Sequence, residues 1–159
     1  MINSYLSRQI TQNFPYNPTE DQNLALKILT EFLLSDETDS ILLLKGYAGT
    51  GKTSLVGALV KTLTELKQKT VLLAPTGRAA KVFSNYSGHK AFTIHKKIYR
   101  QKAFSNEPTG FLSADNLHKD TLFIVDEASM ISNDGLDSAF FGTGRLLDDL
   151  IQYVYSGEN

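Results

Sequence analysis

Cysteine is absent from the 159 residues of this chain, which excludes a disulfide framework and any zinc site built on thiolates. No apolar stretch approaches the roughly 18 residues that a membrane-spanning helix needs. The first residues also lack the basic start and apolar core of a signal peptide. The net charge of −1 gives no overall bias toward an anionic partner. We therefore expect a cytoplasmic protein with no membrane partner.

The composition is typical of a globular protein, because 42% of the residues are hydrophobic and 21% are charged. A chain of 159 residues is long enough for one domain with a substantial core and too short for two domains of ordinary size. We therefore expect one domain over residues 1–159.

Charge is distributed unevenly along the chain. Residues 78–106, here called the basic segment, contain no Asp or Glu, and their cations are Arg78, Lys81, Lys90, Lys96, Lys97, Arg100 and Lys102. From Glu107 onward, ten acidic residues stand against Lys119 and Arg145. Such a segment is either a solvated face or a surface for an anionic partner, and composition alone leaves both open.

Short apolar runs alternate with amphipathic stretches, which predicts an α/β fold with a parallel sheet flanked by helices. The predicted buried strands are "SILLLKG" (residues 40–46), "KTVLLAP" (69–75) and "DTLFIVDEAS" (120–129). The predicted helices cover residues 17–35, 51–68, 77–87, 93–101 and 142–155. Two short apolar pieces around a Pro-Thr-Gly turn predict a hairpin at residues 103–115.

The stretch "GYAGTGKTS" contains the complete P-loop pattern, Gly46-x-x-x-x-Gly51-Lys52-Thr53. Glycines let consecutive backbone N–H groups point at phosphate oxygens, and the positive end of the following helix adds to the same spot. Lys52 is expected to reach the β- and γ-phosphates, while the Thr53 hydroxyl binds Mg²⁺. The predicted nucleotide-binding residues of the loop are Gly46, Ala48, Gly49, Thr50, Gly51, Lys52, Thr53 and Ser54.

An acidic pair, Asp126 and Glu127, follows the predicted strand "LFIV". Carboxyl ends of parallel strands are where α/β sheets place ligands, so Asp126 can hold Mg²⁺ through its water shell. Glu127 can then polarise an attacking water as a general base. Together with the P-loop, the pair predicts hydrolysis of a nucleoside triphosphate, with Lys52, Asp126 and Glu127 as the catalytic residues.

Four stretches in this order, "GYAGTGKTS", "LLAPTGRAAK", "TIHKKIY" and "IVDEASMIS", resemble the first motifs of superfamily 1B helicases. The resemblance is to the RecD-type branch, which includes the exonuclease V alpha subunit and related phage DNA helicases. It runs from about Gln12 to Ser132. It implies an N-terminal RecA-like P-loop domain with ATP as substrate, Mg²⁺ as cofactor and single-stranded DNA as partner.

The resemblance also implies roles for individual residues. Gln22 resembles the glutamine that reads adenine, because its amide offers a donor and an acceptor to that base. The residues that match strand-contacting motifs are Thr76, Gly77, Arg78, Thr93, His95 and Lys96. Aromatic residues interleave with the cations of the basic segment, a combination that suits single-strand binding by stacking and phosphate neutralisation. The hairpin at residues 103–115 occupies the place of a duplex-splitting pin, with Phe104 or Phe111 as its wedge.

The sequence departs from the family pattern at its C-terminal side. Family members continue into a third motif, a further sheet strand and a second RecA-like domain that carries an arginine finger. We therefore expect a fragment truncated before the third motif, which has little or no activity on its own, lacks the middle strand of its sheet and completes the sheet by dimerisation or rearrangement. The alternatives are an RNA helicase, a nucleic-acid-dependent ATPase that does not unwind, and an inactive nucleotide-binding fragment.

Overall fold

The computed structural model describes residues 2–101, 111–134 and 141–157. They belong to two compact units, one formed by residues 1–68 and 86–88 and the other by residues 69–85 and 89–159. The first unit is helical, whereas the second contains a parallel sheet with helices. The predicted α/β class is confirmed. No helix within the described ranges is long and apolar enough to cross a membrane.

Three helices form the first unit: α1 (Ile2–Gln12), α2 (Glu20–Leu33) and α3 (Lys52–Glu65). The sequence predicted α2 and α3, and a capping box on Thr19 fixes the start of α2. Helix α1 was not predicted, although Leu6, Ile10 and Phe14 recur every four residues and are all buried. Most other positions of α1 are polar, so its apolar stripe is narrow.

The strand predicted at residues 40–46 is wrong, since these residues have no regular secondary structure. The Ile41 and Leu43 side chains are 64% and 62% exposed. A buried parallel strand requires hydrogen-bonded neighbours on its sides, and no described strand pairs with this segment. An apolar run therefore predicts a strand correctly only when the fold supplies those neighbours.

The sheet of the second unit contains three parallel strands, β1 (Lys69–Ala74), β2 (Ala91–Thr93) and β5 (Thr121–Val125). Their order is β2-β1-β5, so β1 is central and its residues 71–74 are buried. Ala74 is paired with Thr93, and Leu73 with Val125. The sequence predicted β1 and β5; the three-residue strand β2 is too short to show a periodic pattern.

Helices connect and flank these strands. They are α4 (Gly77–Ser87), α5 (Ile94–Ile98) and α6 (Leu146–Tyr155), with a 3₁₀ turn at Ala128–Met130. Helix α6 begins four residues later than predicted, because Gly142 and Gly144 have φ angles of 49° and 78° in the left-handed region. Helix α5 ends earlier than predicted, since the chain turns extended at Tyr99.

A two-stranded antiparallel ladder joins β3 (Tyr99–Gln101) to β4 (Phe111–Ser113). The sequence placed a hairpin at residues 103–115, but its first described strand lies before that range. Residues 103–110, including Phe104, lie outside the described residues.

One apolar cluster forms the core of the second unit and joins the sheet to α5 and α6. Its buried members are Val71, Leu73, Ile94, Ile98, Tyr99, Leu146, Leu150 and Tyr153. Residues of β1, β2 and β5 belong to this cluster or pack against it. The residues of this unit that were predicted to bind ligands lie at or just after the carboxyl ends of these strands.

Candidate functional site

In the first unit, the P-loop is held by hydrogen bonds to its own carbonyl groups. The Lys52 amine donates to the Gly46 carbonyl and, at 2.8 Å, to the Tyr47 carbonyl. The Thr50 hydroxyl donates to the same Tyr47 oxygen at 2.8 Å. The lysine side chain thus lies over the curled loop rather than extending into solvent.

Two glycines of the loop adopt backbone conformations that other residues rarely adopt. Gly49 and Gly51 have φ angles of 79° and 85°. A Cβ atom at Gly51 would also overlap the Gln22 amide nitrogen. Gly51 is the N-cap of α3, and no described side chain caps that end of the helix. The first turn of α3 therefore offers its backbone N–H groups to an anion.

Gln22 connects α2 to the P-loop. Its side-chain oxygen accepts from the Thr19 backbone N–H at 2.9 Å, and its amide nitrogen donates to the Thr50 carbonyl at 3.0 Å. Both ends of the amide that was predicted to read adenine are thus engaged within the protein. Ser54 is also placed beside the loop, with its hydroxyl 2.7 Å from the Tyr16 hydroxyl.

In the second unit, the parallel strands bring several predicted residues to one edge of the sheet. Thr76 follows β1, Thr93 ends β2, and Asp126 follows β5. The Asp126 backbone N–H donates to the Leu73 carbonyl at 3.0 Å, which continues the β1–β5 ladder. This edge, formed by the carboxyl ends of the strands, is where ligands bind in parallel α/β sheets.

The threonines at this edge have a structural role as well. The Thr76 hydroxyl accepts from the Ala79 backbone N–H, and the Thr93 hydroxyl accepts from the Lys96 backbone N–H, both at 3.2 Å. Each hydroxyl caps a helix and keeps its own hydrogen for donation. Arg78 and Lys96 are exposed beside them.

Asp126 and Glu127 form a tight turn at the end of β5. The Glu127 backbone N–H donates to the Asp126 carboxylate at 3.0 Å. Glu127 is exposed and has a φ angle of 54°, in the left-handed region. Such a conformation costs a non-glycine residue on the order of 1–3 kcal/mol and is concentrated at functional sites.

Next to this edge lies a pocket of about 130 Å³, whose lining includes Thr76, His95, Met130, Ser132, Phe141 and Leu146. The Phe141 ring is 5.0 Å from the His95 ring and meets it at 71°. The Phe111 ring also stacks on the Phe141 ring, with 4.8 Å between the two ring centres. Phe111, one of the two residues expected as the wedge of the pin, is therefore packed against the core of the second unit.

A buried carboxylate holds the turn that carries Phe141. Asp149 is 4% exposed and accepts hydrogen bonds from the Tyr99 hydroxyl at 2.6 Å and from the Thr143 backbone N–H at 3.0 Å. The Thr143 hydroxyl donates to its other oxygen at 2.8 Å. Burial, followed by the bond to Asp149, raises the pKa of Tyr99 above its usual value.

Sequence reasoning missed this network, although a signal was present. Asp149 lies on the apolar face of α6 with Leu146, Leu150 and Tyr153, at helical spacing. Carboxylates are almost never fully buried unless they are paired, so an Asp on that face predicts hydrogen-bonding partners.

The described aromatic residues of the basic segment are either buried or half-buried. Phe83 and Tyr99 are buried, at 0% and 7% exposure. Phe92 is half-buried, with the Lys90 and Lys97 amines 5.1 Å and 5.8 Å from its ring centre. Burial lowers the pKa of Lys97. The cations near Phe92 are thus partly engaged with its ring.

Each unit contains single residues of the type that a magnesium–nucleotide complex requires. No cluster of three or more metal-binding side chains exists among the residues that the structure describes. Mg²⁺ commonly binds through one or two protein oxygens, substrate phosphates and water. The Thr53 hydroxyl and the Asp126 carboxylate are of the required type, and the uncapped end of α3 suits the phosphates.

Comparisons with known proteins agree with this description. The family model described as "AAA domain" matches residues 21–141. The ATP-dependent DNA helicase dda of Enterobacteria phage T4 is 32% identical over 115 residues, covering 70% of this chain and 26% of that protein. The protein MJ1519 of Methanocaldococcus jannaschii is 27% identical over 150 residues, which are 87% of this chain and 13% of that protein. The chain therefore spans about a quarter or less of the length of these relatives.

Proposed function

The chain belongs to the AAA domain family, and from this premise we propose that it is the N-terminal ATP-hydrolysing motor domain of a DNA helicase. The observation that carries the proposal is the P-loop, with Lys52 folded over a glycine loop at the uncapped start of α3. Similarity to a phage DNA helicase supports the choice of nucleic acid as partner.

The proposed chemistry assigns one task to each residue. Lys52 neutralises the β- and γ-phosphates, Thr53 and Asp126 hold Mg²⁺, and Glu127 accepts a proton from the attacking water. Mg²⁺, when bound, shields the phosphate charge that would repel the nucleophile. Gln22 would read adenine only after exchanging its present bonds for bonds to the base.

The carboxyl edge of the sheet supplies the proposed contacts to single-stranded DNA. The hydroxyl groups of Thr76 and Thr93 can each donate one hydrogen bond to the strand while they cap their helices. The exposed cations Arg78 and Lys96 would neutralise neighbouring phosphates. We further propose that unwinding, in the 5′ to 3′ direction expected from the RecD-type resemblance, requires a second RecA-like domain.

Thermal melting with a non-hydrolysable ATP analogue and Mg²⁺ tests nucleotide binding. At about 100 times the dissociation constant, binding stabilises a protein by about 2.7 kcal/mol, or roughly 5–10 °C at this length. Lys52→Ala should abolish the shift, whereas Lys61→Ala, an exposed lysine of the same helix, should keep it. An unchanged melting temperature for the unmutated chain would contradict the proposal.

ATP hydrolysis in the presence of DNA or RNA strands tests the partner. We expect phosphate release to rise on adding single-stranded DNA and to fall at least tenfold in Glu127→Gln, with analogue binding retained. Equal or stronger stimulation by RNA would favour an RNA helicase. Binding without any hydrolysis would identify a nucleotide-binding fragment.

A further inference from the structure

Apart from Thr76, the residues that line the pocket at the carboxyl edge of the sheet take no part in the proposed contacts to the strand backbone. Its residues come from separate parts of the second unit: Thr76 after β1, His95 in α5, Met130 and Ser132 after β5, and Phe141 before α6. We infer that this pocket binds one pyrimidine base of the DNA strand, which packs against Phe141. This inference rests on the proposed function, because it assumes that single-stranded DNA lies along this edge.

The size of the pocket favours a single six-membered ring. Its volume is about 130 Å³. An engineered protein cavity of about 150 Å³ accepts benzene, and one water occupies about 30 Å³ of the liquid. A single six-membered ring therefore matches this volume more closely than the two fused rings of a purine do.

The lining offers both a flat apolar contact and polar groups. Phe141 and His95 form an edge-to-face aromatic pair, and the Met130 side chain, which is 57% exposed, supplies an adaptable apolar wall. The Thr76 hydroxyl already accepts a hydrogen bond, so its hydrogen can be donated. The Ser132 hydroxyl donates to Asp134 at 3.2 Å, so its lone pairs can accept. A pyrimidine edge that carries a carbonyl and an N–H matches this pair of groups.

The charge around the pocket suits a base that is attached to a phosphate backbone. Arg78 follows Thr76 by two residues and Lys96 follows His95 directly, and both cations are exposed. The base would enter a mixed apolar and hydroxyl-lined pocket while its phosphates stay near these cations. Base stacking on aromatic side chains combined with cationic contacts to the backbone is the usual way in which proteins hold single strands.

The turn bearing Phe141 is anchored strongly enough to present that ring. Asp149 binds both the backbone and the side chain of Thr143, and Gly142 fits only because it lacks a side chain. A Cβ atom at Gly142 would lie 2.6 Å from the Tyr99 ring. Phe141 is thus held before the strand arrives, which limits the ordering cost of binding.

Binding of labelled dT12 and dA12 to the full chain, followed by fluorescence anisotropy, tests the inference. Because dA strands stack on themselves, many single-strand proteins prefer dT, so the decisive quantity is the dT12/dA12 affinity ratio in variants. Phe141→Leu keeps apolar volume and should weaken dT12 binding roughly 5- to 150-fold, with little change for dA12. Phe123→Leu, an aromatic residue of β5 that does not line the pocket, should leave the ratio unchanged.

A measurement on the unmutated chain covers the case in which Phe141→Leu does not fold. Met130 and Met1 are its two methionines, so methyl-labelled methionine gives two signals, which a Met130→Leu variant assigns. Short dT strands should shift the Met130 signal more than dA strands do. Equal shifts, or an unchanged affinity ratio in Phe141→Leu, would overturn the inference while leaving strand binding intact. Absence of binding to both strands would instead overturn the proposed DNA partner.

Discussion

Replacing the buried carboxylate of α6 should destabilise the chain far more than replacing its neighbour. In Asp149→Ala, the Tyr99 hydroxyl and the Thr143 backbone N–H lose an acceptor that lies 2.6 Å and 3.0 Å away. Leaving a buried donor unsatisfied costs about 1–3 kcal/mol; the Tyr99 hydroxyl is buried and the Thr143 N–H is only part-buried, so the two together cost roughly 3 kcal/mol. For a chain of this length, that loss lowers the melting temperature by about 6–12 °C.

The matched control is Asp148→Ala on the same helix. Asp148 is exposed and pairs with Arg145 at 3.5 Å, a contact worth at most about 1 kcal/mol. Asp149→Asn should lie between the two, because an amide oxygen can still accept while the amide nitrogen donates to the Thr143 hydroxyl. Differential scanning fluorimetry and urea unfolding measure all three. Equal losses in Asp149→Ala and Asp148→Ala would refute the assignment of the carboxylate as the anchor of this turn.

Three further changes test other parts of the structure. Gly142→Ala should lower the unfolding free energy by at least 1 kcal/mol more than Gly88→Ala in urea unfolding, because both glycines have positive φ but only Gly142 also meets neighbouring atoms. Stability should fall as pH rises above the ordinary tyrosine pKa of 10.0, because the folded chain keeps the Tyr99 proton that the unfolded chain releases. In Tyr99→Phe, the melting temperature should therefore depend less steeply on pH, as measured by thermal melts at about pH 9–11. Gln22→Ala should cost about 1 kcal/mol in thermal unfolding, because it removes the acceptor for the Thr19 N–H and the donor to the Thr50 carbonyl.

Local sequence signals predicted several elements of the structure correctly. Apolar residues at helical spacing indicated α2, whose start is fixed by a capping box between Thr19 and Gln22, and the glycines before Lys52 indicated the loop and the start of α3. The apolar runs of β1 and β5 were predicted correctly because each of these strands has a hydrogen-bonded neighbour in the sheet.

Features that depend on distant partners were missed or wrong. Residues 40–46 have the composition of a buried strand, yet their apolar side chains are exposed, because pairing is decided by other parts of the fold. The Tyr99–Asp149 bond joins residues 50 positions apart, and no local pattern reveals that distance. For the candidate site, the sequence predicted the residues at the strand ends but not Phe141, whose place depends on that bond.

The hydrogen bonds between Lys52 and its own loop favour ligands that carry several negative charges. Because the ammonium group already donates two of its three hydrogens to the Gly46 and Tyr47 carbonyls, a phosphate that accepts more than one hydrogen bond from this lysine must displace a neutral acceptor. Hydrogen bonds to charged acceptors are roughly twice as strong as those to neutral ones, so the exchange favours multiply charged ligands. A nucleoside without phosphates offers this lysine no acceptor that could compete with the carbonyls. The loop carbonyls thus compete with the ligand for the Lys52 ammonium group, so binding through this lysine favours ligands that carry several negative charges.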